Sequence, residues 1–203
     1  MIIHNCFHHY ITQQGRAMKT TALFIFTIAL SATAYADDTQ QRMDQSKEVT
    51  KAFMTELKGE LETAIKAGGP VNAISVCNLK AQKIAQHHSQ AHNWEVRRTS
   101  MKPRNAINAP DKWELNVLST FEARKAKGES LDNMVFSETV NENGKKYFRF
   151  MKAIPTGEVC LKCHGTDIEQ PVVSKLDELY PADQARGYKA GDIRGAFSIK
   201  QPM

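Results

Sequence analysis

Cys160-Leu161-Lys162-Cys163-His164 is the stretch around which the chain is organised, near the start of its last quarter. Two cysteines three positions apart, followed directly by a histidine, are typical of a c-type haem attachment site. On a helical turn Cys160 and Cys163 share one face, where each thiol can add across a vinyl group, while His164 points its imidazole at the iron. The pattern therefore predicts one covalent haem c, anchored by Cys160 and Cys163 and ligated by His164.

The same cysteine pair has three other interpretations: half of a zinc site, a thioredoxin-like redox pair or a disulfide. A zinc site needs two more ligands at similar spacing, and no second Cys-x-x-Cys or His-x-x-x-His pair follows. A thioredoxin-like motif would open a helix after a buried strand in a βαβ pattern, and histidine need not follow it. The haem interpretation requires export to a compartment where haem is attached.

The N-terminal region predicts that export. From Met18 a short basic start leads into an almost wholly apolar run, Ala22–Ala32, and then the small-x-small site Ala34-Tyr35-Ala36. These are the parts of a secretory signal peptide, and the run is shorter than the about 20 apolar residues of a membrane span. We expect a signal peptide over 18–36, cleavage after Ala36 and a periplasmic protein without a membrane span.

Residues 1–17 precede that signal and hold a ligand-like cluster: His4, Cys6, His8 and His9. We interpret them as an upstream extension arising from a mis-chosen start codon, with Met18 the true initiator. We assign the cluster no function.

The remainder, 37–203, has the length of one ordinary domain. The whole chain carries a formal net charge of +5, and 37–203 carries about +3, since Arg16 belongs to the extension and Lys19 to the signal peptide. Such modest basicity argues against nucleic acid as a partner. The sequence shows no repeat and no low-complexity tract.

Apolar residues at three- and four-residue spacing predict helices over 43–67 and 71–88, separated by Gly68-Gly69-Pro70. A strand is expected over 94–99. A third helix should start at Pro110, with Asn108 or Ala109 as its cap, and end near 127–128.

Strands are expected over 134–140 and 145–154, joined by a turn that ends in Asn143-Gly144, a hairpin signal. A short helix around Tyr180-Pro181-Ala182-Asp183 and a last strand over 195–200 complete the chain. Helices at the front and antiparallel strands at the back indicate the α+β class.

The residues leave the sixth iron ligand open. Methionine is the usual partner in electron-transfer cytochromes, and the spacing singles out none of the methionines and histidines available: Met101, Met134, Met151, His87, His88 and His92. Cys77 is the one cysteine after Ala36 that the haem motif does not use, and it lies on the apolar stripe of the second helix. A buried thiol is more often packing than ligand, so both roles remain open for Cys77.

Four separated segments resemble one family of exported c-haem domains with a PAS-like fold: the haem motif and the stretches 73–77, 98–114 and 187–196. The family was long catalogued as a domain of unknown function, and it occurs alone or as the sensing part of membrane signalling proteins. Its motifs occur here in the family's order over nearly all of 37–203. The sequence departs from the family at Ala106, where proline usually follows the Arg-Asn pair.

The resemblance implies a five-stranded antiparallel PAS-like sheet flanked by helices, together with N-terminal helices. It also implies one haem with histidine and cysteine as axial ligands. By motif, His164 is the proximal ligand, Cys160 and Cys163 are the thioether anchors, and Cys77 is the distal ligand.

Guanidinium groups pair well with carboxylates, so the basic run Arg97, Arg98, Lys102 and Arg104 can meet the haem propionates. We single out Arg98 and Arg104 for this contact. The alternatives are a solvated basic loop or a structural arginine held by backbone carbonyls.

Both axial positions are filled in this scheme and no motif places a catalytic acid or base, so we expect no enzyme. The expected function is one-electron transfer or redox sensing with an unidentified redox partner. The alternative is a nitric oxide or carbon monoxide sensor that works with a separate membrane signalling protein. A peroxidase would need an open distal site with an acid-base residue, and ranks last.

Overall fold

A computed structural model describes residues 21–203, with side chains from Asp38 onward. The predicted extension, 1–17, and the beginning of the predicted signal peptide lie outside these residues, so cleavage after Ala36 stays a prediction. The backbone divides into two compact units, residues 1–40 and 41–203. The described part of the first unit is the start of the first helix, and the other features below belong to the second unit. No helix in the described part of the chain has an apolar stretch long enough to cross a bilayer.

The first helix, α1, spans Thr21–His92 and breaks at Gly68 and Gly69. Gly69 has a φ of 70°, a left-handed conformation that favours glycine. Within the second unit the two arms run antiparallel, since Lys80 Nζ lies 2.6 Å from Glu60 Oε2 and, farther from the break on both arms, His88 Nε2 lies 3.1 Å from Glu56 Oε2. The prediction of two helices separated at Gly68-Gly69 is confirmed.

The sheet contains β1 (Glu95–Thr99), β2 (Val135–Glu142), β3 (Lys145–Pro155) and β4 (Ile193–Pro202), in the order β1-β4-β3-β2. Every pairing is antiparallel. The β2–β3 turn places Asn143 and Gly144 at φ values of 54° and 79°, as a two-residue hairpin turn requires. The predicted hairpin and the α+β class are confirmed.

The described residues form four strands, one fewer than the expected five-stranded PAS-like sheet. After β1 the chain turns through Pro103, a short 3₁₀ helix at Ala106–Asn108 and Pro110. Proline has no N–H for strand pairing, so this segment is poorly suited to continue the sheet beyond β1.

The helix α2 covers Lys112–Ala126. Asp111 and Glu114 form its capping box, in which each side chain accepts from the other's backbone N–H. The expected start at Pro110 with a cap at Asn108 or Ala109 is therefore wrong by two or three residues, because Asp111 supplies the acceptor that the first turn needs.

Two more helices lie between β3 and β4: α3 (Glu158–His164) and α4 (Gln170–Leu179). The predicted short helix at Tyr180–Asp183 is wrong. The helix in this region is α4, which lies earlier in the chain because Pro171 suits its first turn and Val172 and Leu176 bury its apolar face. It ends at Leu179, since Pro181 follows two residues later.

The core lies on both faces of the sheet because strand side chains alternate. Phe148, Phe150, Phe197 and Ile199 face the α1 arms, while Met151, Ala153 and Ala196 face α2. A third cluster joins Ile74 of α1 to Val172 and Leu176 of α4, with Cys163 packed against it. The third cluster brings the second arm of α1 to the Cys-x-x-Cys-His turn.

Candidate functional site

The helix α3 carries the Cys-x-x-Cys-His segment as a seven-residue turn with free, half-buried thiols at Cys160 and Cys163. Its end is held by the segment before β4, since Gly187 N–H donates to the Gly165 carbonyl at 2.9 Å and Tyr188 N–H to the His164 carbonyl at 2.9 Å. A side chain at position 165 would place Cβ 2.6 Å from the Leu161 carbonyl oxygen. Glycine at 165 therefore lets the chain turn sharply after the histidine.

One hydrogen bond sets the tautomer of His164. Its Nδ1 lies 2.7 Å from the Ala185 carbonyl oxygen, which can only accept, so Nδ1 carries the proton and Nε2 holds the free lone pair. This is the arrangement of metal-binding histidines, in which the second nitrogen donates to a carbonyl and fixes the ring. Burial holds the pKa of His164 well below its usual value, and Arg194 and Arg104 lower it further. The imidazole is therefore neutral, as a ligand must be.

Arg194 lies directly against that ring. Its Nε is 3.2 Å from Nδ1 and 3.4 Å from Nε2 of His164, and its guanidinium lies 5.3 Å from the Tyr188 ring centre. Its Nη1 donates to Ser100 Oγ at 3.1 Å. Arg194 makes no ion pair with a carboxylate among the described side chains, and its Nε lies closer to Nδ1 than to Nε2.

Asp183 organises the loop that holds His164. Its Oδ1 accepts from Arg104 Nε at 3.1 Å and from Ala185 N–H at 2.9 Å, and its Oδ2 accepts from Arg186 Nε at 2.8 Å. Arg104 Nη2 also donates to the Cys163 carbonyl at 2.5 Å. Asp183 thus links the Ala185 carbonyl, and through it the His164 ring, to the end of α3.

Cys77 lies half-buried on the second arm of α1, one turn after Ile74, which belongs to the cluster against which Cys163 packs. Burial raises the pKa of the Cys77 thiol, while the charges of Arg98 and Arg104 lower it. Tyr180 packs against the same cluster, and burial raises the pKa of its hydroxyl. The structure therefore brings Cys77 to the face of the turn that bears Cys163.

The other candidate iron ligands, apart from Met101, are engaged elsewhere. Met134 and Met151 are fully buried in the α2 core, and Met101 is exposed. His92 stacks on Trp94 with ring centres 4.9 Å apart. His87 and His88 lie beside Glu56 in the α1 hairpin.

The basic run divides into different roles. Arg97 donates to the carbonyls of Ile107 and Ala109 at 2.9 and 2.7 Å, as a structural arginine held by backbone does. Arg104 is bound to Asp183. Arg98, half-buried under the Phe53 ring, has no carboxylate partner among the described side chains. Burial lowers the pKa of Arg98, so an anion placed beside it would relieve an unpaired charge.

Sequence reasoning missed Asp183, Ala185 and Arg194 as parts of the site. Arg194 lies inside the 187–196 stretch that carries the family resemblance, but no residue type or spacing marks it as a neighbour of His164. Asp183 lies in the stretch that was expected to form a short helix, and Ala185 lies just after it, so neither was marked as part of the site.

The donor chemistry fits a covalently attached haem: two thiols on one helical turn, an imidazole with its free nitrogen set by a carbonyl, and two unpaired cations, Arg98 and Arg194. Two cavities flank Tyr188, with volumes of about 240 and 210 Å³. Both are below the about 300–1,000 Å³ of ordinary ligand pockets. Tyr188 lines both cavities, and its N–H donates to the His164 carbonyl, so both cavities adjoin the turn.

Comparison with known proteins gave two matches. A model of the family described as Tll0287-like matches residues 12–202. The crystal structure of the cyanobacterial heme-protein Tll0287 matches with a TM-score of 0.59 and 24% sequence identity, over 78% of this chain and 96% of that chain. None of the curated proteins matches. The structural match shows a shared fold, and the family match covers nearly the whole chain.

Proposed function

This chain belongs to the Tll0287-like family, and on that premise we propose that it is a haem-binding protein with one haem c attached to Cys160 and Cys163. A relative of the same fold is described as a heme-protein. The observation that carries the proposal is the His164 ring, whose Nδ1–H donates to the Ala185 carbonyl at 2.7 Å directly after the two thiols. The family resemblance seen in the sequence is confirmed, and the ligand set is our proposal.

His164 is proposed as the proximal ligand. Its neutral imidazole keeps Nε2 available over the physiological pH range, because burial and the nearby arginines oppose protonation. The hydrogen bond to Ala185 prevents the ring from rotating and raises the basicity of Nε2.

Cys77 is proposed as the distal ligand. Burial favours its neutral thiol in the free protein, so it needs a cation to ionise. Arg98 and Arg104 stabilise the thiolate once it forms, and a coordinating metal deprotonates a thiol outright. Arg98 is also a fitting partner for a propionate, since it has no carboxylate of its own among the described side chains.

Haem, when bound, supplies an iron that exchanges one electron. We propose a periplasmic protein of one-electron transfer or redox sensing, on a PAS-like domain, rather than an enzyme. A thiolate ligand adds negative charge that favours the oxidised state, so the potential should lie below that of histidine/methionine cytochromes. The partner would be a redox protein or a membrane signalling protein.

The test compares wild type with Cys77→Ala by absorption and electron paramagnetic resonance spectra, from cells able to attach haem c. Wild type should show low-spin ferric thiolate signals that Cys77→Ala loses. Leu79→Ala is the matched control, since Leu79 lies on the same helix arm and is 66% exposed. Unchanged spectra in Cys77→Ala would assign the distal position to another side chain.

Covalent attachment is tested separately by mass spectrometry of the denatured protein. Wild type should retain the mass of one haem, and the double variant Cys160→Ala/Cys163→Ala should retain none. Loss of haem from denatured wild type would rule out the c-type linkage.

A gas sensor is the second candidate, supported by the break in α1. Cys77 lies on the arm that follows the non-helical residues Gly68 and Gly69, so release of its thiol would change the contacts of the arm beside that break. Stoichiometric binding of carbon monoxide by the reduced protein would favour this function. If the reduced protein does not bind carbon monoxide, one-electron transfer is the better account of its function.

A further inference from the structure

Three side chains from the two arms of α1 converge outside the site described above. Glu56 comes from the first arm, and His87 and His88 come from the second. One ligand atom from each of the three lies within 4.8 Å of the others. We propose that Glu56, His87 and His88 form a binding site for a divalent cation of the zinc class, independent of the proposed haem function.

The donor set selects the class of cation. Two imidazole nitrogens and one carboxylate suit zinc and its transition-metal neighbours, whereas calcium and magnesium prefer oxygen ligands. Two histidines and a glutamate also leave the fourth tetrahedral position for water. Because Glu56 is 43% exposed and His87 is 69% exposed at the side chain, solvent can reach that position.

The distances are close to those a metal needs. With metal–ligand bonds of about 2.0–2.1 Å, tetrahedral donors lie about 3.3 Å from one another. His88 Nε2 is 3.1 Å and His87 Nδ1 is 3.9 Å from the same oxygen, Glu56 Oε2. His87 is exposed, so a small rotation of its side chain completes the geometry without moving the backbone.

One ligand is held in place by the core. The buried His88 ring stacks on Phe53 with ring centres 5.6 Å apart and an angle of 29° between the planes. Phe53 is fully buried between α1 and the sheet. The His88 ring is therefore fixed before a cation arrives, which lowers the entropy cost of binding.

A simple ion pair across the hairpin does not account for the second histidine. Consecutive residues of a helix point about 100° apart, so His87 and His88 do not share a face. Both nevertheless approach the same Glu56 oxygen, with their ring centres 5.3 Å apart. A bridging cation uses all three groups, whereas a hydrogen bond between His88 and Glu56 leaves His87 without a role.

The experiment is zinc titration of the untagged full chain in competition with a chromophoric chelator, on wild type, His87→Ala, Glu56→Gln and His92→Ala. The cysteines are the same in all four proteins, so zinc held by thiols cancels in the comparison. His88 is left intact because it packs on Phe53. The control residue, His92, is an exposed histidine of the same helix that stacks on Trp94 instead.

Beyond the zinc that all four proteins bind in common, wild type and His92→Ala should bind one ion that His87→Ala and Glu56→Gln bind about tenfold or more weakly, since loss of a partner of a ligand already costs about tenfold. Zinc should also raise the melting temperature of wild type and His92→Ala more than that of His87→Ala and Glu56→Gln, because zinc binds the folded state. Equal stoichiometry and affinity in all four proteins would overturn the site. So would an equal loss in His92→Ala, which would indicate exposed imidazoles acting without a defined site.

Discussion

Asp183→Asn removes the charge at the centre of the loop that positions His164. The carboxyl group is 1% exposed and accepts from Arg104, Arg186 and the Ala185 N–H. Removing one member of a buried ion pair costs about 3–5 kcal/mol. Because the Arg186 side chain is 31% exposed and can turn to water, we expect the lower end, about 3 kcal/mol.

The assay is urea unfolding followed by far-ultraviolet circular dichroism at pH 7, with thermal melting as a second measure. A decrease of about 3 kcal/mol in the free energy of unfolding corresponds to a decrease of about 6–12 °C in the melting temperature of a protein of this size. Asp177→Asn is the matched control, since Asp177 also pairs with Arg186, at 2.5 Å, but is 62% exposed. The control should lose less than about 1 kcal/mol. If Asp183→Asn loses no more than the control, the loop does not depend on this carboxylate.

The same pair of proteins has a predicted pH dependence. Burial alone would raise the pKa of Asp183, but hydrogen bonds from Arg186, Ala185 and Arg104 outweigh it and lower the pKa. A lowered folded pKa gives stability that is present above the unfolded pKa of about 4 and is lost as pH falls through the folded value. The gap between wild type and Asp183→Asn should thus be constant from about pH 7 to pH 5 and shrink below about pH 4. A gap that persists at lower pH would contradict the role of the charge.

Three further predictions concern the sheet, the histidine and the core. Gly195→Ala should lower the free energy of unfolding by about 2–3 kcal/mol, because Gly195 has a φ of 155° and an added Cβ would lie 2.3 Å from the Thr99 carbonyl oxygen. The control, Gly144→Ala, meets no neighbouring atom within 4 Å of its Cβ and should lower it by about 1 kcal/mol in the same urea assay. Arg194→Gln should raise the pKa of His164 in the haem-free protein, because a cation that opposes protonation is removed; an imidazole titration by NMR that shows no change would refute this contact. Phe53→Ala should lower the free energy of unfolding by about 3–5 kcal/mol, since Phe53 is fully buried and packs edge-on against Phe197. The control is Met54→Ala, at a side chain that is 41% exposed, and it should lower the free energy of unfolding in urea by less than about 1 kcal/mol.

Several elements were predictable because their signals are local. The glycine pair at 68–69 marked the break in α1, and Asn143-Gly144 marked the β2–β3 turn. Both depend on backbone conformations that few residues adopt, so the residue type alone indicates them. The helical periodicity of the second arm also predicted the face that carries Cys77.

The predictions of other elements were wrong where two local signals competed. Pro110 suits the first turn of a helix, but the carboxylate of Asp111 made the better cap, and α2 begins after it. Tyr180-Pro181-Ala182-Asp183 was interpreted as a helix, whereas the buried pair Val172 and Leu176 placed α4 earlier. In each case a side-chain contact outweighed the backbone preference.

In the candidate site, some residues were predictable from local spacing and others were distinguished only by tertiary contacts. Cys160, Cys163 and His164 were evident from their spacing, and α3 carries them on one short turn. Arg98 and Arg104 looked equivalent in the sequence. In the structure Arg104 is bound to Asp183 while Arg98 has no such partner among the described side chains, and only packing separates the two.

The sequence by itself determined the features that depend on neighbouring residues: the turn that presents two thiols and an imidazole, the break in α1 and the hairpin. Backbone propensity and short spacings act within a few residues, so they can be read without the fold. The tertiary structure alone decided which distant groups meet, as Asp183 does with Arg104, Arg194 with His164 and Glu56 with His88. Hydrogen bonds and ion pairs form only over about 3 Å, and packing of the helices and the sheet brings residues that are far apart in the chain to that distance.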